Sequence, residues 1–377
     1  MHFPHPVGAG RQPAYNKRMA ELQSELDLMT TEGTLFELQG DGNVRCIACA
    51  HRCLLRPGKR GICGVRFNQQ GMLKVPWGYT TGIAIDPVEK KPFSHFLPGS
   101  RVLTFGMLGC NFHCDFCQNW HTSQVLRDPT IEKYTSLVER VSAETVVKTA
   151  LSYNAPIIAS SYNEPIITAE WSKEIFQLAK IRGLHTAMIS NGYATPDVLD
   201  YLRPVMDGYK IDLKSMREAN YHAMGGVLAH VLDSIAYAYQ IGLWVEVVTL
   251  VIPEYNNSPE ELWDLARAVR SVSADIPWHV TGFHPDYKMY ASRSTLSHEL
   301  QLAADIGQEA GLHYVYAGNL PGKVGNLENT YCPNCQALLI ERKGYTITGY
   351  HITRRGTCPR CKKEIAGVWG YSAATES

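Results

Sequence analysis

The stretch GCNFHCDFCQNW, residues 109–120, carries Cys110, Cys114 and Cys117 in the spacing C-x3-C-x2-C, with Phe116 just before the last of them. A [4Fe–4S] cube has four iron corners and ordinarily takes four thiolates. Three thiolates on one short loop leave an iron without a protein ligand, free to bind something else. The competing reading is a half-built zinc knuckle, but three cysteines at this spacing are more specific than a lone C-x2-C. The loop follows a short apolar run, Val102–Met107, and six more such runs follow downstream: Pro156–Ser161, His185–Ser190, Gly208–Leu213, Trp244–Ile252, Trp278–Phe283 and Tyr314–Ala317. Helical patterns fill the gaps near Ala143–Tyr153, Ile167–Arg182, Pro196–Leu202, Val227–Ile241, Pro259–Val272 and Ser297–Ala310. Strands alternating with helices predict an α/β fold of parallel βα units that closes, wholly or partly, as a barrel.

In such barrels the chemistry gathers at the C-terminal ends of the strands. Polar motifs sit at those positions here: the cysteine loop after the first run, SYNEP (161–165) after the second, SNGY (190–193), KIDLK (210–214), VIPEYN (251–256) and FHPDYKM (283–289) after the next four. Packing alone does not place polar or special-backbone residues at six successive strand ends. Single motifs have plainer readings: Asn191-Gly192 is also a turn signal, Asp212 and Lys214 a structural ion pair on one strand face, and His284 a capped turn histidine.

The 377 residues leave room for one large domain and accessory modules. We expect a polar lead over 1–34 with a helix near Asn16–Met29, a Cys-rich metal or Fe–S module over 35–100, the barrel over 101–325, and a zinc-ribbon or rubredoxin-like module over 326–377. Formal charge is balanced, so no whole-protein field argues for nucleic acid or a membrane. The apolar run 243–253 is too short to span a bilayer and contains Glu246. No apolar signal segment opens the chain. Eleven cysteines without a secretion signal point to metal in a reducing compartment, and cytoplasm is the expectation.

The cysteines divide as four, three and four. Cys332-x2-Cys335 and Cys358-x2-Cys361, 22 residues apart, read as a four-thiolate site for zinc or iron, with zinc favoured. Seven Lys/Arg against two Glu surround them, which would suit nucleic acid or simply a solvated cap. Cys46, Cys49, Cys53 and Cys63 are less regular; zinc and a second Fe–S cluster remain open. Residues 45–66 hold six basic and no acidic residues, a face that would raise a cluster's potential or dock an acidic low-potential electron donor of the flavodoxin or ferredoxin type.

The run DPVEKKPFSHFLPGS (86–100), then CNFHCDFCQNW, SYNEP, SNGY, DLK, VIPEYN, FHPDYKM and YVYAGN, resembles one branch of the radical S-adenosylmethionine (SAM) enzymes. Over residues 40 to 345 it is similar to the pyruvate formate-lyase activating enzyme group, and most of all to the AmmeMemoRadiSam system radical SAM enzymes. The resemblance implies a partial (β/α)6 TIM-like barrel and a [4Fe–4S] cluster on Cys110, Cys114 and Cys117. It also implies reductive cleavage of SAM to a 5′-deoxyadenosyl radical that takes hydrogen from a substrate. In classical members a GGE motif after the second strand holds the SAM amino group; SYNEP stands there in this chain. SAM contacts are then expected from Asn163 and Glu164 to the ammonium and from Ser190 and Asn191 to ribose or carboxylate. Asp212 and Lys214 would lie beside the cofactor, Phe116 near the adenine, and His284 at a strand end. Three substrate classes compete: a small molecule or protein linked to AMMECR-type or Memo-type partners, a glycyl-radical enzyme, and RNA. An Fe–S or zinc interaction scaffold would need only the cysteines.

Overall fold

The computed structural model describes residues 11–131 and 138–370, and side chains from Met19 onward. The outer ends of the expected lead (1–10) and C-terminal module (371–377) lie outside the described residues.

Eight strands form one sheet in simple chain order: β1 (Ile83–Pro87), β2 (Arg101–Phe105), β3 (Ile157–Ser160), β4 (His185–Ser190), β5 (Gly208–Asp212), β6 (Trp244–Val251), β7 (Trp278–Gly282) and β8 (Val315–Gly318). From β2 to β8 every neighbour is parallel, whereas β1 runs antiparallel to β2. Among the described residues no pairing joins β8 to β1, so the barrel is open along that edge. Seven parallel strands exceed the six that the resemblance implied. The antiparallel β1 was not expected, because IAIDP lies inside a Gly- and Pro-rich segment without alternation.

The crossover helices begin where sequence chemistry dictates. Ser142, Thr195 and Ser258 each cap a helix by accepting from the backbone N–H three residues on, and Pro196 and Pro259 occupy the first turn, where no N–H is needed. Alternation in the strands splits the sheet's two faces. Leu103, Phe105, Ile158, Met188, Tyr209, Val247 and Val280 are buried in the main core, which includes the helices' apolar residues. The inner face carries Val102, Ile157, Ala159 and Ala187, packed with Phe93 and Phe96 of the 88–99 segment. That segment therefore plugs the barrel between β1 and β2. Ser94 N and His95 N both donate to the Glu246 carboxylate at 2.9 Å.

The N-terminal lead packs onto the rest of the fold. Helix Arg11–Asp27 buries Met19, Leu22 and Leu26, and Thr30–Glu32 pairs antiparallel with Met72–Pro76. At the other end, Leu338–Lys343 forms a small antiparallel sheet with Thr346–Tyr350 and Thr330–Tyr331. The chain then returns to the plug through Leu97 N to Val368 O and Val368 N to His95 O, both 2.7 Å.

Candidate active site

The mouth of the barrel is assembled by four strand-end loops, and the residues expected to hold a cofactor turn out to fasten those loops to one another. Glu164, fully buried, accepts from Ser190 Oγ (2.7 Å), Asn191 N (2.7 Å) and Ile166 N (3.1 Å). Ser190 Oγ in turn accepts from Tyr209 Oη at 3.1 Å and Gly192 N at 3.0 Å. Asn191 donates from Nδ2 to Asn111 Oδ1 (2.7 Å), and its Oδ1 accepts from Tyr193 N at 3.0 Å. Asn163 Oδ1 accepts from Met107 N at 3.0 Å. The SNGY turn needs its glycine: Gly192 has φ +76°, and a Cβ there would meet Ile211 Cγ2 at 2.5 Å.

Burial pushes the Glu164 carboxyl up to about 7. Its three donors hold that rise back, and they occupy both oxygens. A SAM ammonium at Glu164 would share acceptors already in use.

Asp212 and Lys214 come together as expected, with Lys214 Nζ 2.9 Å from Asp212 Oδ2, and Lys210 Nζ bonds the other oxygen. Burial would raise the Asp212 carboxyl, but the two ammonium groups hold it at about 2. The triad is a net cation on the inner face of β5 and just beyond it. Lys214 Nζ lies 5.8 Å from the Phe116 ring centre, and that ring meets Tyr255 edge-on at 5.6 Å. His284 is exposed, with Nε2 2.9 Å from the side chain of Gln118, the residue that follows Cys117.

The three loop cysteines are unpaired thiols, Cys114 buried and the others partly so. Burial pushes Cys114 up to about 12 and raises Cys110 and Cys117 as well, while Lys214 works the other way on Cys114 and Cys117. Phe112 N donates to Cys110 Sγ at 3.4 Å, and Ser123 Oγ lies 3.2 Å from Cys117 Sγ. Arg127 ties the loop down, bonding the Cys110 carbonyl and donating to Phe112 O at 3.2 Å.

Asn111 was not singled out in the sequence. It bridges the cysteine loop to SNGY, and its buried Nδ2 has no partner among the described residues. Its place directly after the first cysteine was the available signal.

Among the described residues, Cys332, Cys335, Cys358 and Cys361 are the only group of three or more His, Cys, Asp or Glu whose ligand atoms all lie within 4.8 Å of one another. Cys332 and Cys361 sulfurs are 3.5 Å apart, Cys335 and Cys358 3.6 Å. Four sulfurs at about 2.3 Å from one tetrahedral ion stand about 3.8 Å apart, so this set fits a single ion.

Residues 105–269 match the model of the radical SAM superfamily. An uncharacterized protein of Methanocaldococcus jannaschii is 38% identical over 333 residues, spanning 88% of this chain and 96% of that protein. The pyruvate formate-lyase-activating enzyme of Clostridium pasteurianum is 23% identical over 210 residues, 51% of this chain and 83% of that enzyme. Among solved structures, a radical SAM methyltransferase from Sphaerobacter thermophilus overlays with a TM-score of 0.47 at 13% identity, over 84% of this chain and 89% of that one. No helix among the described residues is long and apolar enough to cross a membrane.

The superfamily implies a [4Fe–4S] cluster and SAM. The donor set fits both: three free thiols on one loop, too widely spread for a single ion, with an unpartnered amide at Asn111 and a cationic triad beside them. With residues 105–269 matched by the family model, the chain carries a radical SAM superfamily domain.

Proposed function

We propose that this chain reductively cleaves SAM and abstracts hydrogen from a small polar molecule or a partner-protein residue. The observation that carries the reading is the convergence of the three-cysteine loop, SYNEP, SNGY and the Lys210–Asp212–Lys214 triad at one end of one barrel. When bound, the cluster and SAM supply a 5′-deoxyadenosyl radical. The chain's own residues do the rest. Cys110, Cys114 and Cys117 would hold three irons, and Lys214 would pair with the SAM carboxylate. Asn111 Nδ2 offers a hydrogen bond, and Phe116 with Tyr255 walls the site from water.

The inner wall is polar beyond the triad. Glu89, Lys90, His279, Thr281, Arg342 and Tyr345 line a cleft at the open edge by β7 and β8, on the plug side of the barrel, where Glu89 and Arg342 face each other at 3.9 Å. Partners of the AMMECR or Memo type, a flavodoxin- or ferredoxin-type donor and zinc at Cys332, Cys335, Cys358 and Cys361 belong to this proposal, supported by the motif resemblance and the cysteine spacing. The relationship to the Clostridium pasteurianum enzyme supports a second reading, activation of a glycyl-radical enzyme.

The test is anaerobic reconstitution with dithionite and SAM, followed by quantification of 5′-deoxyadenosine. Cys114→Ala should produce none and still bind the C-terminal metal. Undiminished 5′-deoxyadenosine from that variant would remove the cluster assignment.

A further inference from the structure

Cys46, Cys49, Cys53 and Cys63 take no part in the function proposed above, yet the fold gathers them. Cys46 ends strand Val44–Cys46, and its N–H donates to Cys53 O at 3.0 Å. Arg52 N closes a turn on Cys49 O at 3.0 Å, and Gly64 N closes one on Gly61 O at 2.9 Å that presents Cys63. Cys46, Cys49 and Cys63 are buried, and Cys53 is half-buried.

Spacing separates the two metal readings left open by the sequence. The backbone brings these four cysteines together, with Cys46 N on Cys53 O at 3.0 Å and Gly61 packed so that a Cβ there would lie 3.6 Å from Cys53 Sγ. They do not close to the mutual 4.8 Å that the C-terminal four satisfy. A single tetrahedral ion needs edges of about 3.8 Å. A cube puts each thiolate on its own iron, so its sulfurs stand wider apart. The same wider spread holds for Cys110, Cys114 and Cys117.

The basic character of residues 45–66 also changes meaning. Arg52 pairs with Glu37 and Asp197, and Arg60 with Asp27, while Arg56 and Lys59 are exposed. Arg66 is instead buried and neutralised by a two-pronged pair with Glu170, and its Nη1 also donates to Ile167 O at 3.1 Å, so it fastens the Cys63 loop to the segment after β3.

We propose that Cys46, Cys49, Cys53 and Cys63 hold a second [4Fe–4S] cluster, placed to pass electrons to the cluster on Cys110, Cys114 and Cys117. The two loops share a wall. Gly109 has φ +92°, and a Cβ on it would lie 2.7 Å from Cys63 O. Arg127 donates to Ile62 O at 3.0 Å and also bonds Cys110 O. In the relay one electron enters from an external low-potential donor of the ferredoxin or flavodoxin class and leaves to the neighbouring cluster. The second cluster returns to its starting oxidation state, and no atom or proton moves. The site does not rest on the SAM reading; the relay does.

The experiment is an iron, sulfide and zinc count on the anaerobically reconstituted C110A/C114A/C117A variant, with electron paramagnetic resonance after reduction. About four irons and four sulfides should remain, with a reduced-cluster signal. Iron-free protein with a second zinc would overturn the site. For the relay, C46A/C49A should keep dithionite-driven SAM cleavage and lose cleavage driven by a reduced ferredoxin. Equal ferredoxin-driven rates in variant and wild type would overturn the relay. Wild type with about eight irons and no 5′-deoxyadenosine would sink the proposed function while leaving the second cluster standing.

Discussion

Glu164 is where two accounts of the site part company, and its substitution decides between them. If it serves only the SAM ammonium, then Glu164→Ala and Glu164→Gln should weaken SAM binding alike and leave the apoprotein as stable as before. The geometry predicts otherwise. Its carboxylate satisfies Ser190 Oγ, Asn191 N and Ile166 N, all buried. Each buried donor left unpaired costs about 1–3 kcal/mol, and water refilling the gap makes three such losses less than additive, so Glu164→Ala should lose about 3–5 kcal/mol. Glu164→Gln keeps one acceptor oxygen and turns an amide N–H toward a donor, for a loss of about 2 kcal/mol. Urea denaturation of the apoprotein measures both. SAM affinity, titrated anaerobically on cluster-loaded protein, should fall about 10–100-fold in Glu164→Ala as SYNEP and SNGY part, and less in Glu164→Gln. Wild-type stability in both variants would refute the fastening role and return Glu164 to the ligand list.

Glu170→Gln breaks a buried two-pronged pair, Arg66 Nη1 to Oε2 at 2.7 Å and Nη2 to Oε1 at 2.8 Å, and should cost about 3–5 kcal/mol in denaturant titration. Burial would raise the Glu170 carboxyl, but Arg66 overrides it and holds it below its ordinary value. Its stabilisation is therefore present above about pH 4.3 and lost as pH falls through the folded value, so Glu170→Gln should flatten the acid side of the stability curve. Gly109→Ala must strain a left-handed backbone and push against Cys63 O; we expect a loss of about 1–3 kcal/mol and less iron retained after reconstitution, read by melting and metal analysis. Cys358→Ser should release one metal ion per chain and speed hydrogen exchange at Leu97 and Val368, whose amides bond across the plug; unchanged exchange would show that the plug does not depend on that metal.

The top of the barrel was legible because its signals are local. Helices 196–202 and 259–272 fall where Thr195-Pro196 and Ser258-Pro259 announce them, and the expected strands match β2 to β8 within a few residues. Which loops meet at the top was legible too, since strand-end position is a property of sequence order. Partner choice was not. Nothing local shows that Glu164 spends both oxygens on Ser190, Asn191 and Ile166, or that Asn111 rather than Asn163 keeps a free amide. Those facts depend on contacts across 26 or more residues, such as Glu164 with Ser190 and Asn111 with Asn191.

The bottom of the barrel was misread for the same physical reason. Glu246 looked only like a charge interrupting an apolar strand, yet it is wholly buried and accepts from Ser94 N, His95 N, Trp244 Nε1 and His279 Nε2. Burying one carboxylate at the centre of an α/β sheet is unfavourable unless donors converge on it. Here the donors come from the 88–99 plug and from β6 and β7. The plug is held from outside as well: Arg342 Nη2 donates to Ser94 O at 2.8 Å, and Val368 bonds His95 and Leu97. A basic residue counted in sequence as part of a nucleic-acid-like patch is therefore buried against the barrel, 7% exposed. The C-terminal cysteine module thus meets the barrel through the plug and, where Tyr345 Oη donates to Asn319 Oδ1 at 3.4 Å, through the loop after β8, so a metal held by its four thiols would bear on the barrel's open edge before it bore on any partner.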